Sequence, residues 1–167
     1  ESLLDINRAF YAGFARQFAQ SRTPDQPGWQ RLLPFLPESG RLLDVGCGQA
    51  RLAQFLARQG LRLAYVGVDN SPALLAIARA EAATLALDVT LVAADIASPG
   101  WQQGLPTDRF PAIAALAVLH HVPGWQRRSA FLAQLGSMLA DDGVLLLSTW
   151  QFMNEARLRR KIVPWRA

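Results

Sequence analysis

From Gly40 onward, short apolar runs alternate with stretches whose apolar residues recur every three or four positions. The runs Arg41 to Val45, Leu63 to Val68, Val89 to Ala93, Ala112 to Leu119 and Val144 to Ser148 predict five strands. None alternates apolar with polar residues, the pattern of a sheet covered on both faces. Between them, Gln49 to Gln59 sets Leu52, Phe55 and Leu56 on one helical face. Ser71 followed by Pro72 supplies an N-cap and a proline at the first helical position. Trp125 to Ala140 carries a third stripe, Phe131, Leu132, Leu135 and Leu139. Asp141-Asp142-Gly143 predicts a turn into the fifth strand, and Phe152 to Ile162 one more helix. Upstream, Leu3, Ile6, Phe10, Phe14 and Phe18 form an amphipathic stripe, followed by a proline-interrupted segment. The chain therefore divides into a helical cap segment, 1–38, and a core, 39–167, within one domain. Strands alternating with helices imply right-handed crossovers and an α/β, Rossmann-like parallel sheet with helices on both faces.

The stretch LLDVGCGQARLAQFLA, residues 42–57, breaks an apolar run at Gly46 and Gly48 and resumes as a helix. Glycine in place of alanine costs roughly 0.5–1 kcal/mol inside a regular element, so packing alone does not explain the pair. Bare backbone lets the chain turn sharply and approach a ligand, while the next helix offers free N–H groups. In an open parallel sheet this turn lies beside the ligand crevice.

The acids narrow the ligand. Asp69 ends the second strand 21 residues after Gly48 (69 − 48), where a carboxylate receives ribose hydroxyls. Asp95 ends the third strand on the same rim. A dinucleotide fingerprint wants glycine three positions after Gly48, but Arg51 stands there, and a pyrophosphate has no use for Asp44 just before the turn. S-adenosylmethionine has no phosphate. It brings a ribose for Asp69, an adenine for the Asp95-Ile96 edge, and a cationic amino-acid end for the turn. Asp44 either orients that amine or is a structural carboxylate bonded to backbone N–H groups.

With these motifs the sequence resembles the class I methyltransferases that use S-adenosylmethionine. LLDVGCGQA, VGVDNS, AADI and LAVLHHV carry the resemblance across about residues 40–150. Ala50 departs from it where a third glycine is common. The flanking FAQSRTPDQPGWQRLLPFL, AVLHH, STW and VPW are similar to segments of the wobble-uridine tRNA carboxymethyl methyltransferases. That resemblance implies an RNA-directed enzyme with S-adenosylhomocysteine as coproduct. It implies cofactor contacts at Arg22, Asp44, Gly46, Cys47, Gly48, Asp69, Asn70, Asp95, Ile96, Ala117 and Leu119. His121 is the candidate catalytic residue, against a structural role for His120 and His121 alike. Trp125 and Trp150 are candidates to stack on a base, against plain packing.

Composition adjusts this picture. The net charge of +4 comes almost wholly from arginine and suits an anionic partner such as tRNA, or a solvated arginine surface. Arg157 to Lys161 is either a phosphate track or a charged helix face. A single cysteine, Cys47, forms no internal disulfide or metal cluster; it reads as a small filler rather than a nucleophile. No run approaches the ~18 apolar residues of a membrane span, and no signal peptide is visible, so the expected compartment is the cytoplasm. The family sheet has seven strands with a closing antiparallel pair, and only five are legible here. We expect the last two to be missing from this chain, leaving Val144 to Ser148 as an apolar edge shielded by lost residues or a second subunit. Two rivals stand beside the tRNA reading: a small-molecule methyltransferase, and a non-catalytic scaffold subunit. An acceptor pocket roofed by apolar residues, with no basic path to it, favours the former.

Overall fold

The computed structural model describes residues 5, 6, 9, 13, 17, 25, 26, 28–107, 109–150, 152–154 and 156–162. Five strands form one parallel sheet: β1 (Arg41–Val45), β2 (Ala64–Asp69), β3 (Val89–Ala93), β4 (Phe110–Leu116) and β5 (Leu139–Ser148). Their order is β3-β2-β1-β4-β5. The chain builds outward from β1 to β3, then crosses to β4 on the other side of β1. The carboxyl ends of β1 and β4 therefore flank the point where strand order reverses.

Both faces are apolar, as the strand pattern predicts. On one, Leu42, Tyr65, Ala112, Ala114 and Leu146 pack with Leu52, Phe55 and Leu56 of α1 (Arg51–Arg58) and with Leu75 and Ala78 of α2 (Pro72–Ala82). On the other, Leu43, Val45, Val66, Val68, Ile113 and Ala115 meet Trp101 and the Phe131 and Leu135 stripe of α3 (Trp125–Ser137). Ser71 caps α2 as its sequence predicts, its hydroxyl accepting from Leu74 N. Trp29, in a 3-10 turn before the sheet, is 6% exposed and joins the α1 side of the core against Phe55, ring centroids 5.6 Å apart.

Several boundaries move. The first helix begins at Arg51, because Ala50 takes a left-handed φ of 56°. Strand β4 stops at Leu116 rather than Leu119: Ala117 also turns left-handed (φ 57°) and a 3-10 turn, Leu119–His121, follows. The helix expected to reach Ala140 ends at Ser137, and Leu139 enters β5. Asp141-Asp142-Gly143 is no turn before the strand but a bulge inside it. Phe110 pairs with Leu139 and Ala112 with Val144, so β5 advances five residues while β4 advances two. The predicted C-terminal helix is a 3-10 turn, Phe152–Asn154, and the short α4 (Ala156–Arg159). Most of the N-terminal stripe lies outside the described residues.

Candidate functional site

At the carboxyl ends of β1, β2 and β4 lies a cleft of about 200 Å³. Its floor is the turn after β1. Gly46 N and Cys47 N both donate to Val68 O (2.8 and 3.0 Å), locking the turn to β2. Gly46 has φ 73°, and a Cβ there would stand 2.5 Å from Val118 Cγ2. Gly48 has φ 56°, but a Cβ there would meet only Leu74 Cδ1, at an ordinary contact distance of 3.9 Å. The glycines thus serve different needs: close approach at Gly46, backbone handedness at both.

Asp69 ties the strand ends together. Its Oδ2 accepts from Gly48 N at 2.8 Å and its Oδ1 from Ser71 N at 2.8 Å. Burial raises its carboxyl above the ordinary value, opposed by the backbone N–H groups of Ser71, Gly48 and Asn70. Asp44, on β1, is 5% exposed and accepts a hydrogen bond from Tyr65 Oη of β2. Burial lifts its carboxyl to about 7; the Tyr65 hydroxyl pulls it down and Asp69 adds to the rise. Buried charge of one sign in a small volume favours a cationic guest.

Asp95, with Oδ1 accepting from Ala97 N at 2.9 Å, stands on the same rim with Ile96. The opposite wall is Leu116, Ala117, Val118, His121, Val122 and Trp150. His121 is half-buried, and burial lowers its pKa below the usual imidazole value. The His120 ring packs against His121 (4.2 Å between centroids) and Trp150 (4.8 Å).

The cleft gathers Asp44, Gly46, Cys47, Gly48, Asp69, Asn70, Asp95, Ile96, Ala117 and His121 from the residues singled out in the sequence. Leu119 does not line it; the early end of β4 turns this side chain into the α3-side core. Arg22 lies outside the described residues. Trp125 is 77% exposed and does not line the cleft, whereas Trp150 does. Burial pushes the Cys47 thiol well up, which keeps it protonated and suits a filler. Sequence reasoning missed Gln26, Trp29, Gln49 and Arg51 as wall residues. Arg51 carries a signal in its position, as the first helical residue after the glycine turn.

Residues 15–167 match a methyltransferase domain family, and the chain belongs to it. A trans-aconitate 2-methyltransferase of Variovorax paradoxus is 32% identical over 169 residues, covering 98% of this chain and 59% of the relative. A ubiquinone biosynthesis O-methyltransferase of Azorhizobium caulinodans is 32% identical over 112 residues, covering 65% and 40%. The chain thus spans less than two thirds of either. Among solved structures, the amino pentose methyltransferase CalS10 of Micromonospora echinaspora, with S-adenosylmethionine bound, is 27% identical with a TM-score of 0.60, covering 89% of this chain and 58% of that one. Among the described residues, no helix is long and apolar enough to cross a membrane.

Proposed function

We propose that this chain binds S-adenosylmethionine in the cleft and transfers its methyl group to a small organic acceptor. The observation that carries the reading is the Asp69 carboxylate, at the end of β2 and bonded to Gly48 N at 2.8 Å, so that one ligand spans the turn and the strand end. The residues suit the cofactor. Gly48 N and Ser71 N bond different Asp69 oxygens, and the carboxylate's remaining lone pairs are the candidates to accept from a ribose hydroxyl. Asp95 and Ile96 would flank the adenine, and Asp44 would face the cationic end.

When bound, S-adenosylmethionine supplies a methyl group activated by a sulfonium. The protein's task is to hold the acceptor in line with that methyl and keep water out. We assign both tasks to the wall of Leu116, Ala117, Val118, His121, Val122 and Trp150. A carboxylate acceptor is already ionised at neutral pH and needs no base. A hydroxyl acceptor would call on His121, which burial keeps neutral and able to take a proton.

A small acceptor is supported by that wall, which is largely apolar and aromatic, and by the named relatives, whose names concern small molecules. The wobble-uridine likeness rests largely on flanking segments, of which residues 18–24 lie outside the described ones. Calorimetry should detect S-adenosylhomocysteine at micromolar affinity, weakened roughly 10- to 100-fold by Asp69→Ala. Absence of binding to the unmutated chain overturns the cofactor reading. Label from methyl-labelled S-adenosylmethionine should enter small acids or hydroxylated rings; label entering tRNA instead restores the RNA substrate.

A further inference from the structure

Tyr65 is a polar group set deep in the core, with none of its surface exposed. It sits on β2 opposite Leu42 of β1, and its ring runs two positions along the sheet to bring its hydroxyl onto Asp44 Oδ2. Gly67 leaves the room for this: a Cβ there would stand 2.9 Å from Tyr65 Cε1 and 2.9 Å from Cys47 Sγ. Tyr65 does not itself line the cleft, whereas Asp44 does. Burial, aided by the Asp44 charge, holds the Tyr65 hydroxyl well above the ordinary phenol value, so it remains a donor. A donor to a carboxylate favours the ionised form. The other titratable groups facing Asp44 among the described residues do not: Asp69 adds like charge, and burial keeps the Cys47 thiol protonated. The strand neighbours of Asp44, Gly67 on β2 and Ala114 on β4, carry no charge. The charge on Asp44 therefore leans on the Tyr65 hydroxyl.

S-adenosylmethionine and S-adenosylhomocysteine differ by one methyl and one positive charge, so a carboxylate in the cleft bears on them unequally. We infer that Tyr65 is a positioning residue: seated in the slot at Gly67, its hydroxyl biases Asp44 toward the carboxylate form, so that the cleft favours the cationic cofactor over its neutral product. The inference rests on the cofactor reading above and adds to it the residue that sets cofactor apart from product.

Calorimetry with both ligands, from about pH 5.5 to 8, reads the ratio of their affinities across the titration of Asp44. Asp44→Asn supplies the ligands' own titration as a baseline. Above that baseline, the ratio for the unmutated chain should swing toward S-adenosylmethionine as pH rises through about 7. Tyr65→Phe should carry the swing upward by about one pH unit. Near pH 6 that is roughly a 10-fold loss for S-adenosylmethionine and a smaller one for S-adenosylhomocysteine. Equal weakening of both ligands by Tyr65→Phe at every pH overturns the inference in favour of a packing role. So does a ratio in the unmutated chain that follows the Asp44→Asn baseline. Where Tyr65→Phe fails to fold, 3-fluorotyrosine replaces the chain's two tyrosines, Tyr11 and Tyr65. The more acidic phenol is a stronger donor, so the swing should move to lower pH, and a swing that stays in place overturns the inference. If the unmutated chain binds neither ligand, the cofactor reading falls and the inference with it.

Discussion

At the scale of single residues, the site is a set of conflicts between burial and charge. Asp44 is the clearest. Its carboxyl is raised to about 7 in the free protein, above the unfolded value of 3.8. A cation placed beside it favours the ionised form, so binding S-adenosylmethionine expels a proton below pH 7. Affinity should therefore climb as pH rises from about 5 to 7 and level off above it. Calorimetry across that range should give a flatter profile for Asp44→Asn, which keeps an acceptor for Tyr65 but cannot ionise. A profile of wild-type shape in Asp44→Asn would assign the titration elsewhere. The two glycines of the turn should separate by measurement as they do by geometry. Gly46→Ala meets Val118 and an unfavourable φ, and should cost at least ~2 kcal/mol in urea unfolding. Gly48→Ala meets only Leu74 Cδ1 at 3.9 Å and should cost about 1 kcal/mol, from φ alone.

At the scale of elements, strand interiors were legible and their ends were not. Strand β1 runs from Arg41 to Val45 as the apolar run predicts, because the four residues Leu42 to Val45, buried on both faces of the sheet, suit an interior strand. The end of β4 was misread because Ala117 and Val118 are as apolar as the strand itself. Only the left-handed turn at Ala117, whose N–H donates to Ser148 O and Oγ, ends the run. The Asp141-Asp142-Gly143 turn was misread for the opposite reason: turn residues also build bulges. There Gly143 is required, since an added Cβ would stand 2.9 Å from Ala140 O and 3.0 Å from Phe110 O, both rigid backbone. Gly143→Ala should destabilise the fold by about 1–3 kcal/mol, a shift read in the urea midpoint. A midpoint unchanged by that substitution would show the bulge to be freely deformable.

At the scale of the whole molecule, the cleft exists only because the sheet order reverses between β1 and β4. Ligand there bridges the ends of separate strands, so it binds the folded chain and not the unfolded one. S-adenosylhomocysteine at 100 times its dissociation constant should add ~2.7 kcal/mol of stability. For a chain of this length that raises Tm by roughly 5–10 °C, measurable by differential scanning calorimetry. Adenine alone, engaging only the Asp95 side, should give a smaller rise at the same concentration. An equal rise with both would deny that the ligand spans the turn.

The sequence alone determined the parallel α/β architecture, the glycine turn, and the acids on its rim. Those signals are local: a strand's period, a residue lacking Cβ, a carboxylate at a strand end. Tertiary structure alone decided that Asp69 and Gly48 touch, that Asp44 pairs with Tyr65 21 positions away, and that Trp29 and Arg51 come together at the cleft. These depend on register between strands and on how the preceding segment folds back over the first helix. Contacts between residues far apart in the chain follow from packing, and no short window of residues encodes them.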